Sequence, residues 1–318
     1  MKDVDTYDLS WDDWDELQRP AAEETDFDDV VEAAISRRGF LTGVLAYGSG
    51  AAAMGTGLLS GTSAAAQSAS RFGFSPVPIA TDGTVHVPEG YTWQSVAKWG
   101  QPLFSDAGEL SQETAISVES SDRVFGENTD GMEAFVVDGR QVIAVNHEYV
   151  NTKVNLPHNE GAPTSADDGQ TLQQMLGETE MEVAEGPDGW DIVVDSDLNR
   201  RITQNTPMTI AGPAAGHPLL QTPDDPEGTT VLGTMNNCGA GKTPWGTYLT
   251  CEENFNGYFG STDPEFERPA DYVRYGVNLE GRYGYEKFDP RFDVSQNPNE
   301  PHRFGYIVEI DPTDPTST

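Results

Sequence analysis

Two thiols, two carboxylates and three carboxamides crowd into Asn236-Asn237-Cys238-Gly-Ala-Gly-Lys-Thr-Pro-Trp-Gly-Thr-Tyr-Leu-Thr-Cys251-Glu252-Glu253-Asn254. Thiolate and carboxylate together are ligands for a transition metal, with carboxylate oxygens also suited to calcium. Val231–Met235 leads into this stretch and Thr247–Thr250 leads out, both rich in β-formers. Strands on either side of a Gly/Pro turn would put Cys238 at one strand end and Glu253 near the end of its neighbour.

Two plainer readings compete. Cys238 and Cys251 are the chain's two cysteines, and a disulfide between them is the simplest use of the pair. Gly239-Ala-Gly241-Lys242-Thr243 resembles the end of a phosphate-binding loop, but the first glycine of that pattern is Asn236 here. Pro244 then pushes Thr243 away from the helical geometry such a loop requires. The nucleotide-loop reading is rejected.

A second block ends a strand in acid: Val142-Ile-Ala-Val-Asn146-His147-Glu148. With Thr247–Glu253 and Tyr306–Pro312, it makes a recurring strand that closes in a polar cluster containing Glu or Asp. If the inner strands of successive β-propeller blades ended this way, Glu148, Cys238 and Glu253 would converge on one point. Asn128 and Asp130 could offer oxygen ligands to calcium, but shaping the Asn-Thr-Asp-Gly turn is the favoured use. His147 reads as a hydrogen-bonded structural histidine ahead of a metal ligand or general acid. Asn146 and Asn237 are further polar candidates. His302 with Arg303 could reach a phosphate or lie on the surface.

The elements that would hold these groups are short. Runs at 134–137, 141–146, 190–194, 229–234, 247–251 and 306–310 read as strands, giving an all-β sandwich, barrel or propeller. A helix is expected over 170–185, and 223–228 and 256–300 read as surface insertions. No G-x-S-x-G elbow appears, which counts against a serine hydrolase.

The chain carries a net charge of −35. Such a surface excludes nucleic acid as a partner, because a phosphate backbone needs a basic patch. It also repels an anionic ester unless bound cations reverse the field locally. Ser36-Arg37-Arg38-Gly39-Phe40-Leu41, a Gly/Ala-rich apolar run to Leu59 and Ala64-Ala65-Ala66 form a twin-arginine export signal with its cleavage site. The expected layout is an acidic, disordered lead over 1–35, a signal over 36–66 and a mature domain over 67–318, placed in the periplasm or outside the cell. That route carries folded proteins and raises the expectation of a cofactor inserted before export.

Phe125–Met132, Ala144–Asn151, Asn236–Cys238, Thr243–Thr247, Thr250–Asn254, Arg282–Tyr285 and Gly305–Pro312 together resemble the PhoX family of secreted bacterial phosphatases. The resemblance implies a six-bladed β-propeller holding iron (Fe³⁺) and calcium, and hydrolysis of phosphate monoesters at alkaline pH. It implies Cys238 as iron ligand, with Glu148 and one or both of Glu252 and Glu253 as iron or calcium ligands. Family members are roughly twice this length, so the propeller is expected to be incomplete here, with little turnover unless a complementing C-terminal half is supplied. The competing class is a non-catalytic secreted propeller that binds calcium or a partner. A calcium-only lactonase is the other hydrolase alternative, for which a thiolate ligand has no use.

Overall fold

The computed structural model describes residues 74–317, apart from 112 and 159. They fall into two compact units, 74–93 and 94–317. In the first, Phe74 packs edge-on against Tyr91, and His86 pairs with Asp82 at 2.6 Å. The acidic lead and export signal lie outside the described residues.

The second unit is mostly antiparallel sheet. β1 (Thr129–Val137) and β2 (Arg140–His147) form a hairpin whose two-residue turn is Asp138-Gly139. Both turn residues have positive φ, 51° and 83°, the combination that Asp-Gly supplies most readily and that matches strand twist. β3 (Gly177–Gly186) adds to β2, and its far edge is shared by β4 (Gly189–Ile192) and β5 (Arg200–Ile202). β6 (Pro207–Thr209) pairs with β7 (Thr230–Leu232). β8 (Asn237–Lys242), β9 (Tyr248–Glu252) and β10 (Ile307–Ile310) form the third sheet in the order β10-β9-β8. Among the described residues no sheet closes on itself as a barrel.

Helices are few. α1 (Thr152–Asn155) is one turn, α2 spans Ala166–Met175 and α3 spans Ala270–Tyr275. α2 begins at a capping box: Ser165 accepts from the Asp168 amide while the Asp168 side chain accepts from the Ser165 amide. The helix expected over 170–185 is therefore half right. Leu172, Met175 and Leu176 are buried, but the chain turns at Gly177 (φ 98°) and continues as β3. A Cβ at Gly177 would sit 2.0 Å from the Ile202 carbonyl oxygen, so only glycine allows this turn against β5.

The two faces of β2 feed two cores. Val142 and Ala144 join the main one with Phe135, Tyr248 and Met235, whereas Val145 packs with Leu103, Phe125, Met181 and Ile192. The stretch 256–300 is not the expected surface insertion. It sends Tyr258, Phe259, Tyr272, Tyr283, Tyr285 and Phe292 into the main core, with the Tyr283 and Tyr285 rings stacked at 5.4 Å. Its lack of strand periodicity concealed that burial, because short 3₁₀ turns present their aromatics at irregular spacing.

Candidate metal centre

The site is built from two β-bulges that face each other. In the first hairpin Thr129 pairs with His147 and Met132 with Val145, so Asp130 and Gly131 both lie opposite Asn146. In the third sheet Asn237 pairs with Glu252 and Ala240 with Thr250, so Cys238 and Gly239 both lie opposite Cys251. An extra residue in one strand kinks it and re-aims its side chain. Here the re-aimed side chains are Asp130 and Cys238. Both cysteines are free, and Cys238 turns toward β1 instead of joining Cys251.

Ligand atoms of Asp130, Glu148 and Cys238 lie within 4.8 Å of one another. Glu148 follows the end of β2, where its amide donates to the Asn128 carbonyl at 3.1 Å. Asn128 takes φ 46° and gives its side-chain amide to the Tyr149 carbonyl at 2.8 Å. It shapes the turn, as expected. Asp130 does more than that, since its carboxylate joins the group.

Asn146 couples the two bulges. Its amide donates to the Cys238 carbonyl at 2.8 Å, and its carbonyl accepts from the Tyr248 hydroxyl at 2.8 Å. Tyr248 lies 2.9 Å from the Gly131 carbonyl, so one fully buried phenol touches both the β1 bulge and its clamp. Gly131 permits the close approach: a Cβ there would sit 2.6 Å from Ala240 Cβ and 2.7 Å from the Cys238 carbonyl oxygen.

Asn236, absent from the expected candidates, steers Glu148. Held at φ 51°, it donates its side-chain amide to Glu148 Oε1 at 3.3 Å and accepts from the Tyr258 hydroxyl at 2.9 Å. Its backbone carbonyl accepts the Glu253 amide at 3.1 Å. The Asn-Asn doublet before the cysteine was the available signal; an Asn suits the left-handed geometry that a β-branched residue would not.

The remaining candidates separate. Glu252 faces away, its two oxygens accepting from Thr234 Oγ1, the Met235 amide and the Gly305 and Tyr306 amides. Burial still pushes it up to about 7. His147 is fully buried between the Glu127 carbonyl and Thr179 Oγ1, edge-on to Phe125. Burial, then the Arg201 charge, holds it well below the usual histidine range, so it stays neutral. Asn237 ties Thr234 to Thr250. Arg303 is a buried strut to the Leu220 and Thr230 carbonyls, and His302 pairs with Asp271.

Electrostatically the group is one that a cation would suit. Burial pushes the Cys238 thiol upward, and the Asp130 hydrogen bond and the charges of Glu253, Asp130 and Glu148 push it further. The neighbouring carboxylates favour the protonated thiol, and a bound cation would offset their charge, so Asp130, Glu148 and Cys238 are residues that could hold a metal ion. Soft thiolate beside hard carboxylate fits iron, and the carboxylates also fit calcium.

A family profile described as "Alkaline phosphatase PhoX" matches residues 72–318. The chain belongs to the PhoX family. A solved structure of this family, "Pseudomonas fluorescens PhoX in complex with vanadate, a transition state analogue", is 43% identical with a TM-score of 0.74. The match covers 77% of this chain and 43% of the Pseudomonas chain, so the chain spans less than half of that protein. No curated protein resembles the chain closely enough to count as a match. With PhoX the chain shares its mostly antiparallel architecture with few helices.

Proposed function

We propose that this chain contributes half of the metal centre of an exported phosphomonoesterase. The convergence of Asp130, Glu148 and Cys238 in one 4.8 Å group carries the reading. A vanadate-bound relative at 43% identity supports phosphoryl chemistry, because vanadate imitates a phosphoryl group in transit. The residues fit iron and calcium by donor type: Cys238 with Glu148 for Fe³⁺, and Asp130 and Glu253 with the remaining carboxylate oxygens for Ca²⁺.

Bound there, the cations supply charge that polarises a phosphoryl oxygen and favours an anionic substrate in an otherwise negative protein. The chain's own residues do the positioning. Asn146 fixes the Cys238 carbonyl, Asn236 orients Glu148, and Tyr248 and Tyr258 lock those two amides from the buried side. Preorganisation of this kind favours the transition state, since no ligand has to be ordered during reaction.

The family's propeller is the fold in which this centre would be completed, with a complementing half supplying further ligands and cationic phosphate contacts. Export through the twin-arginine machinery to the periplasm, or beyond it, follows from Ser36–Leu41 and Ala64–Ala66. The test is hydrolysis of a chromogenic phosphate monoester by this chain alone, and by this chain joined to the remaining length of the Pseudomonas protein. The joined form should turn over and lose activity in a calcium chelator. Activity indifferent to the chelator would defeat the metal reading.

A further inference from the structure

Glu127 lies three residues before Asp130, is 2% exposed and is not a member of the acidic group. Three amide donors converge on its two oxygens. Oε1 accepts the Asn151 backbone N–H at 2.5 Å and the Asn155 side-chain amide, and Oε2 accepts the Asn151 side-chain amide at 2.7 Å. Asn155 is held in turn by the Trp99 indole, which donates to its Oδ1 at 3.2 Å. A carboxylate accepts at both ends and owns no donor, whereas a glutamine would turn its own amide toward one of these three. Asn151 stands at the start of α1, where an Asn side chain commonly caps the helix, yet it makes no cap bond. Its side chain serves Glu127 instead.

The backbone beside Glu127 continues the same grip. The Glu127 carbonyl lies 3.1 Å from His147 Nδ1; a carbonyl can only accept, so the neutral ring donates from Nδ1 and Nε2 accepts from Thr179 Oγ1. The Asn128 carbonyl accepts the Glu148 amide at 3.1 Å, and the Asn128 side chain reaches the Tyr149 carbonyl at 2.8 Å. Residues 127 and 128 therefore bind 147, 148, 149 and 151, on both sides of the residue that brings a carboxylate to the acidic group. The same turn runs on into Asp130, so this grip spaces the two carboxylates of the group. Cys238 arrives from β8, where Asn146 holds it separately.

We infer that Glu127, acting through Asn151, is a positioning residue for Glu148: it fixes the chain leaving β2 so that the Glu148 and Asp130 carboxylates stay close enough to share one ion. The role rests on the metal reading of the acidic group. Partners behind a ligand set govern how tightly it holds an ion without touching that ion. With the grip released, Cys238 still presents its sulfur, but the two carboxylates are no longer held against each other. Affinity then falls while the bond from sulfur to metal persists.

The experiment titrates this chain with cobalt(II) and follows the thiolate-to-cobalt absorption, which reports Cys238 bound to the ion. The parent should show the band and Cys238→Ala should not. Asn151→Asp sets a second carboxylate against Glu127 while keeping a good residue at the start of α1. It should weaken cobalt binding about tenfold, with the band retained at saturation. Glu127→Gln combined with Asn151→Asp exchanges acid and amide across the same contact and should recover most of that loss. A packing role alone would not be recovered, because the double variant departs further from the parent. Asn151→Ala removes one bond and no cap from an exposed position, so it should fold and should also bind more weakly than the parent. Circular dichroism at the titration temperature confirms that each variant is folded. Parental affinity in both single variants at Asn151, or a double variant as weak as Asn151→Asp, would overturn the positioning role while the parent's band upholds the metal reading. A parent without the band would sink the metal reading and this role with it, so the two failures are separable.

Discussion

Asn146 and Cys238 work as a pair, the amide holding the bulge in place while the sulfur joins the carboxylates of Asp130 and Glu148. Replacing Cys238 by Ala should abolish iron binding, seen as loss of iron by elemental analysis and of any thiolate-to-iron absorption. Cys251→Ala should retain the metal, because Cys251 pairs with Ile307 in the ladder and contributes no atom to the acidic group. Iron retained by the Cys238 variant would remove the thiolate from the site. Tyr248→Phe tests the layer behind it. The phenol donates toward both Asn146 Oδ1 and the Gly131 carbonyl from a fully buried position, and its loss strands buried acceptors. The expected cost is about 1–3 kcal/mol in denaturant unfolding, with weaker iron retention. A variant as stable as the parent would show that the hydrogen bonds add nothing beyond packing.

At the scale of elements, the centre depends on how closely β1 meets β8, and Gly131 sets that distance. A methyl group there would meet the Cys238 carbonyl, a backbone atom that cannot swing aside as a flexible side chain could. Gly131→Ala should therefore push the two bulges apart, lowering metal occupancy while leaving most of the fold intact by circular dichroism. Full occupancy in that variant would mean the bulges close without glycine's help. The sequence showed the strand ends and their acids plainly, because β2 and β9 follow β-forming runs with strong turn signals. It did not show the bulges. A two-against-one register is a property of paired strands, and neither Asp130-Gly131 nor Cys238-Gly239 differs locally from an ordinary turn. That is why Asp130 read as turn chemistry; Glu252, offered beside Glu253 by the family resemblance, instead accepts from Thr234 and the Gly305 amide. The strand β3 was missed for another reason: the helical spacing of Leu172, Met175 and Leu176 extends to Val183, and the period-2 face of Glu178, Glu180 and Glu182 is charged where a buried strand face is usually apolar, although Glu178 and Glu180 are fully buried.

Those two glutamates shape the behaviour of the whole molecule. They sit on the face of β3 that meets the main core, opposite Asn146 and Ala144 of β2, and none of their four carboxylate oxygens has a hydrogen-bond partner among the described residues. Burial pushes Glu180 up to about 8, with Asp311 pushing the same way and Arg200, 4.0 Å away, pulling back. Burial and then the charge of Glu180 push Glu178 well above the usual range, opposed by Arg201 and Arg200. Both carboxyls hold their protons more tightly folded than unfolded. Their favourable contribution is thus complete below the ordinary glutamate value of 4.5 and is lost as pH climbs from there through about 8. Each such group should steepen the fall in unfolding free energy by about 1.4 kcal/mol per pH unit across that window. The chain's large negative charge also weakens the fold at high pH, so the comparison must be between variants. Glu180→Gln keeps the shape, removes one titration and leaves the rest of the surface charge in place. Urea unfolding at intervals from pH 5 to pH 9 should show a shallower decline for Glu180→Gln and greater stability than the parent at pH 9. Parallel curves would mean that Glu180 is already ionised in the folded state and that another buried group governs the alkaline limit.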